Sequence, residues 1–238
     1  MKAPRKDTVI TKRRLLEAAG EVFAEKGFHE AGIAEICELA GVNVAAVNYH
    51  FGGKEKLYVE TWRHFFEESL AAHPFDGGVP ASAPPEERLR GRISALIHRV
   101  TDENNREFHI AQNELAGPTG LLDDILDKTL GPLTLDLEGL LRELLGPRAD
   151  PRQVAYCRLG ITAQCFNPLV AGRRPSPKKK GGPGFRREID DVAAYAEHVA
   201  AFSLAGIREL KNSGAGAPGA LTRPVQRNSN ISPRREEQ

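Results

Sequence analysis

The sequence predicts an all-α fold. Apolar residues recur at three- and four-residue intervals along most of its 238 positions, and no run alternates as a half-buried strand would. Proline and glycine cut this periodicity into helix-length pieces. Two of those pieces, between residues 33 and 53, are unusually short and meet at Gly41.

The first helix is expected over roughly residues 10–26, with Leu15, Ala19, Val22 and Phe23 on one face and Gly27 as its stop. Ile33, Ile36 and Ala40 define a short second helix, closed by Gly41. A third follows at once. Asn43 is placed to cap it and Gly52-Gly53 to end it, while Val44, Val47 and Phe51 at i, i+3 and i+7 form its inward face. The other face carries Ala45, Ala46, Asn48, Tyr49 and His50. Two alanines beside an exposed aromatic ring and an imidazole suit a backbone that must approach a partner closely. Two short helices joined by a tight turn form a helix-turn-helix, whose second helix enters the DNA major groove. In that geometry Ala45 and Ala46 lie nearest the base edges, where a small apolar side chain meets a thymine methyl. Tyr49 and His50 face phosphate and sugar, and Asn43 and Asn48 add hydrogen bonds.

A fourth helix is expected from Lys54 to about Ala72, carrying Tyr58, Trp62, Phe65, Phe66 and Leu70 and linking the reading unit to the rest of the chain. A loop follows from His73 to Pro84. Pro84-Pro85-Glu86-Glu87 is a strong helix start, continued by Leu89, Ile93, Leu96, Ile97 and Val100. Another helix spans Arg106 to Ala116 and stops at Gly117-Pro118. The leucine-rich stretch 120–145 is expected to kink or break at Gly131-Pro132. Asp150-Pro151 opens a helix through Val154, Cys157, Ile161 and Cys165 to about Pro168. Residues 171–187 form a basic, low-complexity insert without an acid, expected to be a flexible loop. A last helix covers roughly 188–212, and residues 213–238 are expected to be disordered.

The run from Arg14 to Tyr58 resembles the DNA-binding domain of TetR/AcrR-family transcriptional regulators. Its signature is Gly41-Val42, six residues, Tyr49-His50-Phe51, Gly52 and then Lys54-Glu55; within the family it looks most like the CecR-type branch. The resemblance implies a three-helix DNA-binding domain over residues 9–53 and a ligand-binding and dimerisation domain over 54–212. It implies a ligand-responsive regulator, most simply a repressor. A homodimer would set two recognition helices in successive major grooves, about 34–36 Å apart. Lys54 resembles the family lysine that pairs with a phosphate. The chain departs from the family at Ala31-Gly32, where a Thr or Ser often caps the second helix and touches phosphate; here a backbone amide is left for that contact.

Composition bounds the alternatives. Net charge is +1, yet Lys2, Arg5, Lys6, Lys12, Arg13 and Arg14 cluster around the start of the first helix, with Lys12 and Arg13 as candidate phosphate contacts. No stretch of eighteen apolar residues exists and the first residues lack the apolar core of a secretory leader, so a cytoplasmic, nucleoid-associated protein without a membrane partner is expected. Cys37, Cys157 and Cys165 are widely spaced and odd in number, which supports neither a disulfide framework nor a zinc ladder. His109, Asn113 and Glu114 share a helix but lack an H-E-x-x-H pattern, so no metal is expected, and no cofactor motif is present. No nucleophile elbow, P-loop or dinucleotide turn appears, which argues against an enzyme. An architectural or scaffolding protein built on the leucine-rich helices is the competing reading, separable by a test for selective binding to a palindrome.

Two further expectations concern the bundle. Trp62, Phe65, Phe66, Phe108, His109, Gln112, Asn113 and Gln164, with His98 and Phe166, are candidates to line an effector cavity, which is mostly apolar with a few placed polar groups. Its walls would be the fourth helix and the 106–130 segment. Val192, Ala196, Val199 and Gly206, small residues at near-heptad spacing, are candidates for a two-fold interface between copies.

Overall fold

The computed structural model describes residues 6–102, 104–172 and 189–213, and among these every regular element is a helix. They are α1 (Lys6–Glu30), α2 (Ile33–Ala40), α3 (Ala45–Phe51), α4 (Lys54–Ala72), α5 (Pro85–Thr101), α6 (Arg106–Ala116), α7 (Asp123–Leu145), α8 (Pro151–Gly172) and α9 (Val192–Asn212). Lys2 and Arg5, most of the basic insert, and the tail from residue 214 lie outside the described residues. No helix among the described residues is long and apolar enough to cross a membrane.

Two apolar cores organise these helices. The first gathers Leu15, Phe23, Ile36, Val47, Phe51, Leu57, Tyr58 and Trp62 from α1–α4, then continues into Ile110 of α6 and Leu122 and Ile125 at the start of α7. The second gathers Leu89, Ile93 and Ile97 of α5, Leu137–Leu145 positions of α7, and the inner faces of α8 and α9. The first core therefore does not part at residue 53. It reaches forward into the segment expected to be the ligand domain.

Local chemistry explains where the elements end, and where expectation failed. Gly27, at φ 72° and ψ −178°, interrupts α1 where a stop was expected, but the helix begins four residues earlier, at Lys6. The expected break at Gly131-Pro132 is absent: α7 runs through Pro132 unbroken. The proline is exposed and Gly131 beside it has open space, so water can take up the one backbone bond the ring removes. Flanking leucines and Ile125 hold the two halves of α7 on different cores. Similarly, α8 continues through Pro168 to Gly172, and α9 starts late, at Val192, where Asp191 Oδ1 accepts the Ala194 amide at 2.9 Å.

Two glycines mark close approaches. A Cβ on Gly20 of α1 would stand 2.0 Å from Phe65 Cε2, so α1 and α4 cross where only hydrogen fits. At Gly91 of α5 a Cβ would meet Val79 Cγ2 at 2.6 Å and the Asp76 carbonyl at 2.7 Å, which presses the 73–84 loop onto α5.

Gly20 supplies a test of this packing. Alanine is favoured over glycine in a helix by about 1 kcal/mol, yet overpacking a tight crossing costs about 1–3 kcal/mol. Gly20→Ala should therefore lower the guanidinium unfolding midpoint with an unchanged slope; a raised midpoint would show that the Phe65 ring yields freely.

Candidate nucleic-acid interface

Left-handed glycines close both short helices of the reading unit. Gly41 closes α2 at φ 62°, its amide donating to the Glu38 carbonyl at 3.0 Å while the Val42 amide donates to the Cys37 carbonyl at 2.9 Å. A Cβ here would also fall 2.6 Å from Arg14 Nη2, an exposed side-chain end that can move aside, so the positive φ is what favours glycine. Gly52, at φ 78°, ends α3 and donates to the Val47 and Asn48 carbonyls. Between them α3 is anchored by buried Val47 and Phe51.

What α3 presents outward is now specific. Tyr49 is 79% exposed, its ring edge-on to His50 at 4.9 Å. Ala45 and Asn48 are exposed beside it, and His50 is half-buried. Val44 was expected inside; it stands at the N-cap position of α3 and is 47% exposed. Ala46 was expected on the reading face; it packs partly against the core. Asn43 caps as expected, its Oδ1 accepting the Ala45 amide at 2.8 Å, so the amide nitrogen of its side chain is what it offers a partner.

The flanking cations are tied to rings and acids. Lys54 Nζ sits 4.5 Å over the Phe28 ring, and partial burial lowers its pKa. Lys12 Nζ lies 5.5 Å from the Phe51 ring. Lys12, His50, Phe51, Lys56, Val59 and Leu121 line an open cleft of about 470 Å³ beside α3, together with the acids Glu55 and Glu60. Lys56 was not singled out from sequence, although it continues the Lys54-Glu55 run. Leu121 had no local signal at all. Arg13 pairs with Glu68 at 3.4 Å and approaches Glu17 at 3.8 Å, both outside the reading helix.

Behind this surface, α6 grips α1 and α4. Asn113 Nδ2 donates to the Phe23 and Ala24 carbonyls at 3.0 Å, just where Gly27 interrupts α1. Glu114 accepts the Tyr58 hydroxyl at 3.0 Å and the Thr119 and Gly120 amides at 2.7 and 2.9 Å. Burial and that carboxylate push the Tyr58 phenol well above its ordinary pKa. Arg106 Nη1 binds Glu17 at 3.0 Å. None of these ties was anticipated from sequence.

The fold brings several of the expected effector residues into contact with one another and leaves others apart. Trp62 is 2% exposed, stacked on Phe66 at 5.1 Å, and Phe65 lies against Gly20 under Arg106. Phe108 meets Phe166 edge-on at 5.4 Å. Gln164 donates to its own helix at Gly160, and His109 and Gln112 are half-buried. Asn113, expected as a polar ligand contact, has its Nδ2 engaged by α1. A cleft of about 670 Å³ opens elsewhere, between the 72–79 segment, α5 and α9, lined by His73, Arg90, Ser94, His98 and Glu197.

The dimer assignment needs a larger correction. Ala196 and Val199 are buried by the chain's own core, the latter to 1% exposure, and so have no surface left for a partner. Val192 is half-buried and Gly206 is exposed. The large apolar residues these two helices expose are Phe202 and Leu210 on α9 and Tyr156 and Leu159 on α8. Cysteine chemistry is also quiet. Burial raises the Cys37 thiol and pushes Cys165 up to about 12, so neither is a ready thiolate.

Comparison with known proteins now bears on this arrangement. Residues 85–207 match the family described as "HTH-type transcriptional dual regulator CecR, C-terminal domain", and residues 15–61 match "Bacterial regulatory proteins, tetR family". The regulator RutR of Escherichia coli is 31% identical over 133 residues, covering 56% of this chain and 57% of RutR. BetI of Brucella anthropi is 29% identical over 85 residues, covering 36% of this chain and 43% of BetI. The chain thus spans less than two thirds of these relatives. Among solved structures, a Rhodococcus transcriptional regulator superposes with a TM-score of 0.59 at 24% identity, covering 83% of this chain and 96% of that one. The Bacillus subtilis regulator FadR, solved with stearoyl-CoA, gives 0.60 at 21% identity over 82% of this chain and 98% of FadR. These likenesses show the fold.

Tyr49 and Lys54 carry the direct test of the surface. Tyr49→Ala should weaken DNA binding by about tenfold, about 1.4 kcal/mol, with melting unchanged because the ring is exposed. Lys54→Ala should reduce the salt slope of binding by about one unit, as for one phosphate. Gel-shift titrations at wild-type affinity for both would remove them from the interface.

Proposed function

Because the chain belongs to the TetR family of bacterial regulators, in its CecR branch, we propose that it is a ligand-responsive repressor that holds a palindromic operator as a homodimer. The observation that carries this reading is α3 itself: seven residues locked from behind by Val47 and Phe51, with Tyr49, Asn48 and Ala45 projecting outward. Base edges would be read by Ala45 and Asn48, with Val44 beside them. Tyr49, His50, Lys54, Lys12 and the Lys56 found beside them would hold phosphates. Selection from a random duplex pool tests it, and a two-fold repeat is the expected outcome. Recovery without sequence preference would favour a scaffolding protein instead.

The homodimer would form through the outer faces of α8 and α9. Tyr156, Leu159 and Phe202 are exposed there, and Gly206 has open space above its Cα. Four helices, two from each copy, would cover this surface. Phe202→Glu should yield a folded monomer by sedimentation, with DNA affinity falling by about tenfold or more. Val199→Glu, by contrast, puts a charge into the core and should unfold the chain. A dimer that survives Phe202→Glu would move the interface elsewhere.

Effector release would act through α4 and α6. Trp62 Nε1 and Gln112 Oε1 are buried without hydrogen-bond partners, an arrangement that a polar ligand entering between these helices would relieve. His109 stands on the same helix as Gln112. A ligand shifts an equilibrium only by its preference for one of two arrangements, and effector and operator then weaken each other reciprocally. Since α6 caps α1 through Asn113, displacing α6 disturbs the seat of the reading unit. Trp62 is the chain's one tryptophan. Its fluorescence should change with the same midpoint as operator release for any releasing compound; release with no change at Trp62 would place the cavity elsewhere.

A further inference from the structure

We propose that Glu17 of α1 and His64 and Glu68 of α4 form a binding site for a divalent transition-metal ion of the zinc class. The three side chains offer ligand atoms that all lie within 4.8 Å of one another. His64 Nε2 stands 3.5 Å from Glu68 Oε1 and 3.8 Å from Glu17 Oε1. A tetrahedral ion bound at about 2.1 Å needs ligand atoms about 3.4 Å apart, so small side-chain adjustments complete the set. His64 and Glu68 are four residues apart on one face of α4, and Glu17 approaches from the helix across the crossing at Gly20.

His64 Nε2 makes the site more than a pair of surface acids. It is shut off from solvent, lacks a hydrogen-bond partner and faces two carboxylates. The Nε2 edge of the ring faces two carboxylate oxygens, and a cation bound between them would take all three groups as ligands. Two carboxylates and a neutral imidazole balance a double positive charge. Arg106 holds Glu17 through the other oxygen, Oε2, at 3.0 Å and would orient that ligand from outside.

The resident cation is Arg13. Its guanidinium lies 3.4 Å from Glu68 Oε1 and 3.8 Å from Glu17 Oε1, the same two oxygens the ion would take. Arg13 is mostly exposed and swings free at little cost. Metal binding would therefore do two things. It would staple α1 to α4, and it would release Arg13, which neighbours Lys12, toward the duplex. In the repressor reading the metal strengthens operator binding.

Calorimetric titration of chelator-treated protein with Zn²⁺, in the absence of DNA, tests the site independently of that reading. One Zn²⁺ per chain is expected, with Mg²⁺ in the same range giving no heat. His64→Gln and Glu68→Gln should each weaken Zn²⁺ by about tenfold or more, and Arg13→Ala should tighten it by removing the competitor. Glu68 is 44% exposed, so its variant keeps the fold even where His64→Gln does not. Zn²⁺ binding that is absent, or indifferent to Glu68→Gln and Arg13→Ala, overturns the proposal and leaves an ion-pair network alone.

Discussion

The reading unit depends on a helix cap supplied from the other half of the chain. A helix end leaves backbone carbonyls without partners, and α1 meets this need at Gly27 by accepting two hydrogen bonds from Asn113 of α6. The next residue, Glu114, spends its carboxylate on Tyr58 and on the loop that leads into α7. Two consecutive side chains thus tie α6 to α1, to α4 and to α7. Gly27 itself stands at φ 72°, in the left-handed region that favours glycine, and a Cβ there would meet Asn113 Cβ only at ordinary contact distance, 3.5 Å. Remove the cap and both the end of α1 and the support of Tyr58 lose their definition.

A second polar joint sits at the opposite end of α6. Arg99 and Glu107 pair at 3.1 Å with almost no exposure, Arg99 also donating to Ser69 Oγ and lying over Phe66 and Phe108. Burial pushes the Glu107 carboxyl up, against hydrogen bonding from Ser69 and the pull of the Arg99 guanidinium. Such a pair contributes little net stability against an apolar substitute, because desolvation offsets the attraction. Its value is positional: only one register of α4, α5 and α6 satisfies it.

How much was legible in the sequence follows from how local each signal is. The start of α4 and the end of α6 were readable because Gly52-Gly53 and Gly117-Pro118 punctuate them chemically. The helix-turn-helix was readable because its glycines and apolar spacing lie within twenty residues. Val44 misled because periodicity assigns a face only inside a helix, and this residue stands at the entrance. Ala196 and Val199 misled for a different reason: a seam of small residues looks the same whether its partner is another copy or α5. Glu17 and His64 come together across 47 residues of chain, and no spacing rule announces such a meeting. Pro132 shows the converse, a strong local signal overruled by packing on either side.

The long helix α7 has a consequence for how this chain can be divided. Leu122 and Ile125 belong to the core beneath the reading unit, while Leu137–Leu145 positions belong to the core of the bundle. One rigid rod is therefore shared between two hydrophobic interiors. Cutting the chain after residue 53 would strip Tyr58, Trp62, Ile110, Leu122 and Ile125 from the head and leave its apolar underside to water. The head is thus no interchangeable module. Its thermal unfolding is coupled to that of the bundle, and transplanting it onto another regulator means carrying α4, α6 and the first turns of α7 along with it.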